Sequence, residues 1–391
     1  MLNGKEISLG EKEKKEIKEA CDMMASNALR VLALAYRPIS NRVRDKKVSL
    51  YENNLVFIGL VGLMDPPRKE VSEAVKKCHR AGIRPVMVTG DHSLTAEVIA
   101  KKVGIIGKYD KVVDGSDFSN ISNKQLNTLV QNRKVFARIS PEDKLRIIES
   151  LQQRNEVVAM TGDGINDAPA LKSADIGISM GKTASDVTKE VSSLILTDDN
   201  FSTIVTAIEE GRKIYNNIRK FIKYLLSCNI GELLSIFLGV VLDLPLPLIP
   251  IQILWVNLVT DGLPALALGI EDEDDSVMDK PPRDPKENIF HGGMLNRILT
   301  QGVFIGISTT FVFLFALFRL DSSLDLARTM AFSVLVFSQL VFVFSCRSDK
   351  KAFWSLNPFT NFYLVLAVLI SALMQLGVIY LPYLAVFFKT E

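Results

Sequence analysis

Residues 160–181 read M-T-G-D-G-I-N-D-A-P-A-L-K-S-A-D-I-G-I-S-M-G, and two carboxylates stand four apart within them, Asp163 and Asp167. The apolar run Val157-Val158-Ala159-Met160 just before predicts a buried parallel strand, which delivers Asp163 to the carboxyl edge of an α/β sheet, where ligands bind. Asp167 follows across the turn into a helix, so both carboxylates can face one pocket, and Asn166 between them offers a neutral amide. Carboxylate oxygens are hard ligands, and at a strand end they suit Mg²⁺ together with a phosphate. The plain alternative is a glycine-rich strand-to-helix turn with an aspartate N-cap, which a bare T-G-D-G would satisfy equally well. It explains the full twenty-two residues poorly.

The elements that must position these groups alternate apolar strands with amphipathic helices, the pattern of a doubly wound parallel sheet. Strands are predicted over residues 55–63, 83–88, 134–139, 156–160, 176–179 and 193–196, with helices over 70–81, 93–103, 142–154 and 168–173. Polar clusters close these strands: Thr89-Gly90-Asp91 the second, Arg138 with Pro141-Glu142-Asp143-Lys144 the third, Thr161-Gly162-Asp163 the fourth. Together they can perform phosphoryl transfer: the Thr89 hydroxyl holds a phosphoryl oxygen, Lys144 neutralises its charge, and Asp163 holds the metal. Singly, Thr89 reads as an N-cap, Asp91 as a turn former and Lys144 as a solvated helix residue. Ahead of the sheet, an amphipathic helix over 11–28 and a strand over 30–36 are too little for a core of their own.

Charge is dense before about residue 220 and sparse after it, so two physical regimes share the 391-residue chain. With 46 basic and 44 acidic residues, and no basic stripe interleaved with aromatics, nucleic acid is not an expected partner. Cys21, Cys78, Cys228 and Cys346 form no C-x-x-C pair and read as reduced core or membrane residues. The amino terminus has no apolar stretch of signal-peptide type, so membrane insertion is expected from internal helices. Five apolar segments reach spanning length, over 221–242, 247–270, 298–318, 326–346 and 362–388, the last interrupted by Pro382. Basic residues crowd Arg212, Lys213, Arg219, Lys220 and Lys223 and the loops 271–297 and 347–357, which places those segments in the cytosol.

Inside the spans the polar groups are informative, because a charge at the bilayer centre costs roughly 2.5–3.5 kcal/mol on insertion scales. Asn229 and Glu232 sit one turn apart, and Asn257, Thr260 and Asp261 are predicted on one face of a helix that Gly262 and Pro264 weaken. All are oxygen donors suited to a hard cation such as Ca²⁺. Helix-to-helix glue is the alternative, and it accounts for Asn229 or Thr260 better than for two carboxylates.

The stretch 160–181 resembles the hinge motif of P-type ATPases almost letter for letter, and the hydroxyl, lysine and acidic clusters resemble those of haloacid-dehalogenase-like phosphotransferases. The resemblance covers essentially the whole chain and is nearest to the bacterial and sarcoplasmic-type calcium pumps. It implies a haloacid-dehalogenase-like α/β cytosolic domain followed by an all-α transmembrane bundle, with boundaries at 1–50 for the end of a nucleotide-binding domain, 51–215 for the phosphorylation domain and 216–391 for five spans. It implies ATP as substrate, Mg²⁺ as cofactor and Ca²⁺ as the transported ion, with Thr89, Gly90, Asp91, Lys144 and Asp167 in catalysis and Arg30, Arg138 and Asn166 on nucleotide or phosphate. Asp163 would take Mg²⁺, and Asn229, Glu232, Asn257, Thr260 and Asp261 the transported cation, with Gln339 where the sarcoplasmic type has a glutamate. The family's phosphorylated aspartate lies in Asp-Lys-Thr-Gly-Thr, and none of Asp45, Asp110, Asp143, Asp279 or Asp349, each followed by lysine, continues that way. The expectation is therefore a carboxy-terminal pump portion in the cell membrane, inactive alone, with an apolar gap in its sheet and a separately encoded amino-terminal half as partner. A membrane-tethered phosphatase and a non-catalytic cation-binding membrane subunit stay open as other readings.

Overall fold

The computed structural model describes residues 7–26, 29–38, 52–63, 66–271, 275–348 and 355–391. Two compact units emerge, one of Met1–Ala207 with Met278–Pro285 and one of Ile208–Val277 with Lys286–Glu391.

The first unit opens with α1 (Glu11–Ser26) and two strands, β1 (Arg30–Tyr36) and β2 (Val56–Leu63). The strand predicted over 55–63 does not open the parallel sheet: it pairs antiparallel with β1, from Arg30↔Leu63 to Tyr36↔Val56. Both strands are apolar on each face, and pairing them satisfies backbone groups that β2 alone would leave bare. Met24 and Leu29 close against Gly62 so tightly that a Cβ there would meet Leu29 Cδ1 at 2.8 Å.

The helices α2 (Lys69–Arg80), α3 (Ser93–Val103), α4 (Asn123–Asn132), α5 (Pro141–Gln152), α6 (Ala168–Ser173) and α7 (Asp186–Val191) alternate with β3 (Met87–Val88), β4 (Val113–Asp114), β5 (Val135–Ala137), β6 (Ala159–Gly162), β7 (Ile176–Met180) and β8 (Leu194–Leu196). All their pairings are parallel, in two separate sheets ordered β3-β5-β4 and β6-β7-β8. Strand β5 shows why: Val135 and Ala137 face a core with Val75, Ala100 and Val103, while Phe136 faces Phe118, Leu126 and Ile147 on the other side. Burial on both faces demands a continuous apolar strand. Val158, just before β6, packs into that second core beside Val86 and Val88, so apolar contact joins the sheets where hydrogen bonds do not. Edge strands β3 and β6 flank the break, and it is these two that end in T-G-D. The sequence pattern missed β4 and α7, whose apolar runs are too short to show a period, and also α4, although Ser122 and Gln125 box its start.

The second unit is helical. Its elements are α8 (Phe201–Val241) from Ile208 onward, α9 (Pro250–Trp255), α10 (Gly262–Gly269), α11 (Met294–Arg319), α12 (Leu324–Cys346), α13 (Phe362–Tyr380) and α14 (Pro382–Phe388). Five helical stretches are long and apolar enough to cross a membrane, α9 to α10 counting as one. Between α9 and α10 the chain widens into a π-helical turn, Val256–Thr260, where Asp261 N–H reaches Val256 O at 2.9 Å. Pro264 explains the break, since it has no N–H for the Thr260 carbonyl. Pro382 likewise ends α13 at Tyr380. Helices α8 and α11 approach at glycines: a Cβ on Gly302 would meet Ile230 Cγ2 at 2.5 Å, and one on Gly306 would meet Gly231 O at 2.9 Å.

Candidate functional site

Loops meet at the ends of β3, β5 and β6. The Thr89 N–H donates to Phe136 O at 2.9 Å, Ile139 N–H to Thr89 O at 3.1 Å, and Arg138 N–H to Asp91 O at 3.0 Å. Arg138 holds φ at 54°, and Gly115 passes so near that a Cβ would lie 2.0 Å from its carbonyl oxygen. Thr89-Gly90-Asp91 and Arg138 thus form one braced corner. Within it Thr89 Oγ1 donates to Asp91 Oδ2 and accepts from Asp91 N–H, each at 3.1 Å. The Arg138 guanidinium lies 3.9 Å from Asp114 Oδ2. Hydrogen bonds to Asp114, from Ser93 first and then from Ser116, hold its pKa down at about 2, with Arg138's charge adding least.

Ser140 caps α5, its Oγ accepting from Asp143 N–H at 3.2 Å, and Pro141 pre-sets the first turn. That start aims Lys144 at Asp167: Nζ donates to Oδ1 at 2.6 Å, with the side chains 16% and 12% exposed. Asp167 Oδ2 accepts from Gly164 N–H at 3.4 Å, so both its oxygens are engaged. The two aspartates of the motif, expected as equals on one pocket, divide: Asp167 is buried and paired, while Asp163 and Asn166 are exposed. The Asp163 carboxylate has no partner among the described residues. An open carboxylate at a strand end, one turn from a lysine-bound one, is the donor set for one Mg²⁺ ligand. The side chain of Arg30 lies outside the described residues.

The second cluster lies inside the helical unit. Glu232 on α8 is 4% exposed. Asn257 Nδ2 donates to its Oε2 at 2.9 Å and Gln339 Nε2 to its Oε1 at 3.1 Å, so three helical stretches converge on one carboxylate. Asp261 accepts at Oδ1 from Tyr224 O–H, 3.0 Å away, and feels the charge of Glu232. Thr260 is buried, with its hydroxyl donating to Val256 O at 3.2 Å. Asn229, predicted on the face of Glu232, is instead exposed. Residues three apart on a helix stand about 60° apart, enough to turn an amide out when its neighbour points in. Asp261 Oδ2 and Gln339 Oε1 are buried with no hydrogen-bond partner. Such orphans are costly in a dry interior, and an open carboxylate oxygen and an open amide oxygen in a cluster with Glu232 fit a cation.

Sequence reasoning missed the Tyr224 hydroxyl, which a polar-tipped aromatic two turns before Glu232 could have signalled. It also missed Gly302 and Gly306, although their G-x-x-x-G spacing is a packing signature.

Residues 9–175 match the haloacid dehalogenase-like hydrolase family, and residues 245–391 match the carboxy-terminal family of cation transporting ATPases. A calcium-transporting ATPase of Bacillus subtilis (strain 168) is 51% identical over 94% of this chain and 41% of its own length. The chain belongs to the cation-transporting P-type ATPases. A calcium-transporting ATPase 1 of Bacillus cereus is 47% identical over 98% of the chain and 45% of its own length, and one of Yarrowia lipolytica 39% over 100% and 42%. The chain thus spans less than half the length of these relatives. As a member of that family with five helices of spanning character, it is a multi-pass membrane protein.

Proposed function

We propose that this chain is part of an ATP-driven calcium pump, supplying one wall of its phosphorylation site and part of its ion site. The observation that carries the reading is the buried cluster of Glu232, Asn257, Asp261 and Gln339, two of whose oxygens have no partner. Hard neutral and charged oxygens in that mixture match Ca²⁺ better than a soft metal. The names of the Bacillus and Yarrowia relatives support the same ion.

On the sheet edge, Lys144 neutralises charge beside the reacting phosphoryl group and Asp167 keeps its ammonium aimed. The Thr89 hydroxyl and the N–H groups after it hold phosphoryl oxygens, and Arg138 reaches nucleotide phosphate with Asn166 beside it. Asp163 would hold Mg²⁺, which when bound neutralises the phosphates of ATP. The carboxylate that accepts the phosphoryl group comes from outside these 391 residues, because no Asp-Lys pair here continues as Thr-Gly-Thr. A separately encoded pump half would provide it. The α/β unit faces the cytosol of a cell-membrane protein, as the basic residues beside α8 and the spans favour. Purified chain incubated with Mg²⁺ and γ-labelled ATP is expected to gain no acid-stable phosphate, and to support calcium-dependent labelling once a polypeptide carrying Asp-Lys-Thr-Gly-Thr is added. Acid-stable phosphate on the chain alone would overturn the reading.

A further inference from the structure

We infer that Tyr224 determines cation selectivity by capping one oxygen of Asp261, so that the carboxylate meets a cation with Oδ2 only. The inference rests on the proposed ion site. Tyr224 is fully buried, its O–H donates to Asp261 Oδ1 at 3.0 Å, and Asp261 Oδ2 is the oxygen left without a partner. The phenol's proton is committed to Asp261 Oδ1, so its effect on the site is exerted through that carboxylate: it is a positioning residue. The ring is fixed independently of the hydroxyl. It lies 6.2 Å from the Phe342 ring at a 30° tilt and packs in the core with Cys228, Phe342 and Cys346. On the other side, Gln339 and Asn257 occupy both oxygens of Glu232 with N–H donors. Every carboxylate oxygen of the cluster except Asp261 Oδ2 is thus already assigned a direction.

Denticity decides ion size. A carboxylate held to one oxygen keeps the ligand count low, whereas a bidentate one adds a ligand and favours larger cations, since discrimination among group-2 ions follows cavity size and ligand number. Tyr224→Phe keeps the ring and frees Oδ1 to join Oδ2 on the ion.

The test uses the purified full chain in detergent, with Ca²⁺, Sr²⁺ and Ba²⁺ competing against labelled Ca²⁺ at equilibrium. In Y224F the preference for Ca²⁺ over Ba²⁺ is expected to narrow about tenfold, the scale of one hydrogen bond to a charged group. In Phe342→Leu, which loosens the ring and spares the hydroxyl, the preference should stay as in the unmodified chain. An unchanged ratio in Y224F, or an equal change in F342L, overturns the role of the hydroxyl. If Asp261→Asn abolishes binding while the Y224F ratio stays put, only this inference fails. If the unmodified chain binds no divalent cation, or Asp261→Asn leaves binding intact, the reading of the ion site fails with it.

Discussion

The two polar clusters are built from similar side chains and held in opposite ways. At the sheet edge, the residues stand on loop ends braced through backbone hydrogen bonds at Thr89, Asp91 and Arg138, and Asp163 projects into solvent. Among the spans, side chains hold one another: Glu232 is fixed by Asn257 and Gln339, and Asp261 by Tyr224. The difference teaches that chemistry and stability can be separated at an open carboxylate such as Asp163 and are entangled among the spans. A loop-end carboxylate can be changed while the backbone that aims it stays intact. A buried one cannot, because its neighbours lose a partner in a medium where water does not replace it.

The contrast can be broken most forcefully at Arg347. Its guanidinium donates twice to Glu271 Oε1, at 2.8 and 2.7 Å, with the side chains 5% and 7% exposed. Arg347→Met should cost about 3–5 kcal/mol by leaving a buried carboxylate uncompensated, read as a fall in the detergent unfolding midpoint, and Glu271→Gln in the same chain should recover part of it. A loss no larger than that of an exposed ion pair would mean that water reaches Arg347 and Glu271.

Gly302→Leu should follow, costing about 1–3 kcal/mol in the same unfolding assay, because a Cβ there already overlaps Ile230. Gly302→Ala should cost less than Leu. At the sheet edge the comparable step is Lys144→Met, expected to cost about 1–3 kcal/mol by stranding Asp167, with Lys144→Arg restoring most of it.

A smaller effect depends on pH. Folding lowers the Asp114 carboxyl from about 3.8 to about 2, so the folded state favours the ionised form. Its stabilising contribution is complete above the unfolded value and disappears as pH falls through the window between the two. Ser93→Ala removes the largest cause of the shift, so the acid limb of the unfolding curve should flatten. An unaltered limb would show that Ser93 does not hold Asp114. Smallest of all is Asp163→Asn, expected within about 0.5 kcal/mol of the unmodified chain in unfolding, since none of the described residues bonds to that carboxylate. A larger loss would place Asp163 in the structure and weaken its assignment to Mg²⁺.

Much of this was legible in the residues because the relevant signals are local. Predicted helices at 93–103 and 168–173 coincide with α3 and α6: His92 accepts from Leu94 N–H at the start of the first, and Pro169 stands in the first turn of the second. The spans were legible from length and hydropathy alone, and Pro382 and Pro264 marked the breaks. What escaped was non-local. That residues 56–63 pair with β1 depends on a partner strand distant in sequence, and apolar alternation does not reveal which edge a strand will choose. The turning of Asn229 away from Glu232 depends on the rotation of α8 against its neighbours. The Tyr224 to Asp261 bond joins residues 37 apart in the chain, and the π-helical turn that positions Asp261 follows from Pro264 acting on a backbone carbonyl rather than from any side-chain period. The break between the two parallel sheets was not legible in strand periodicity, which does not say which strands will pair.

Equilibrium binding of labelled Ca²⁺ to the purified chain, compared with Glu232→Gln, tests most directly whether the helical unit carries a cation site of its own. Saturable binding in the unmodified chain, lost in E232Q with the helical content retained, is the predicted result. Binding that survives in E232Q, or none in the unmodified chain, would contradict it.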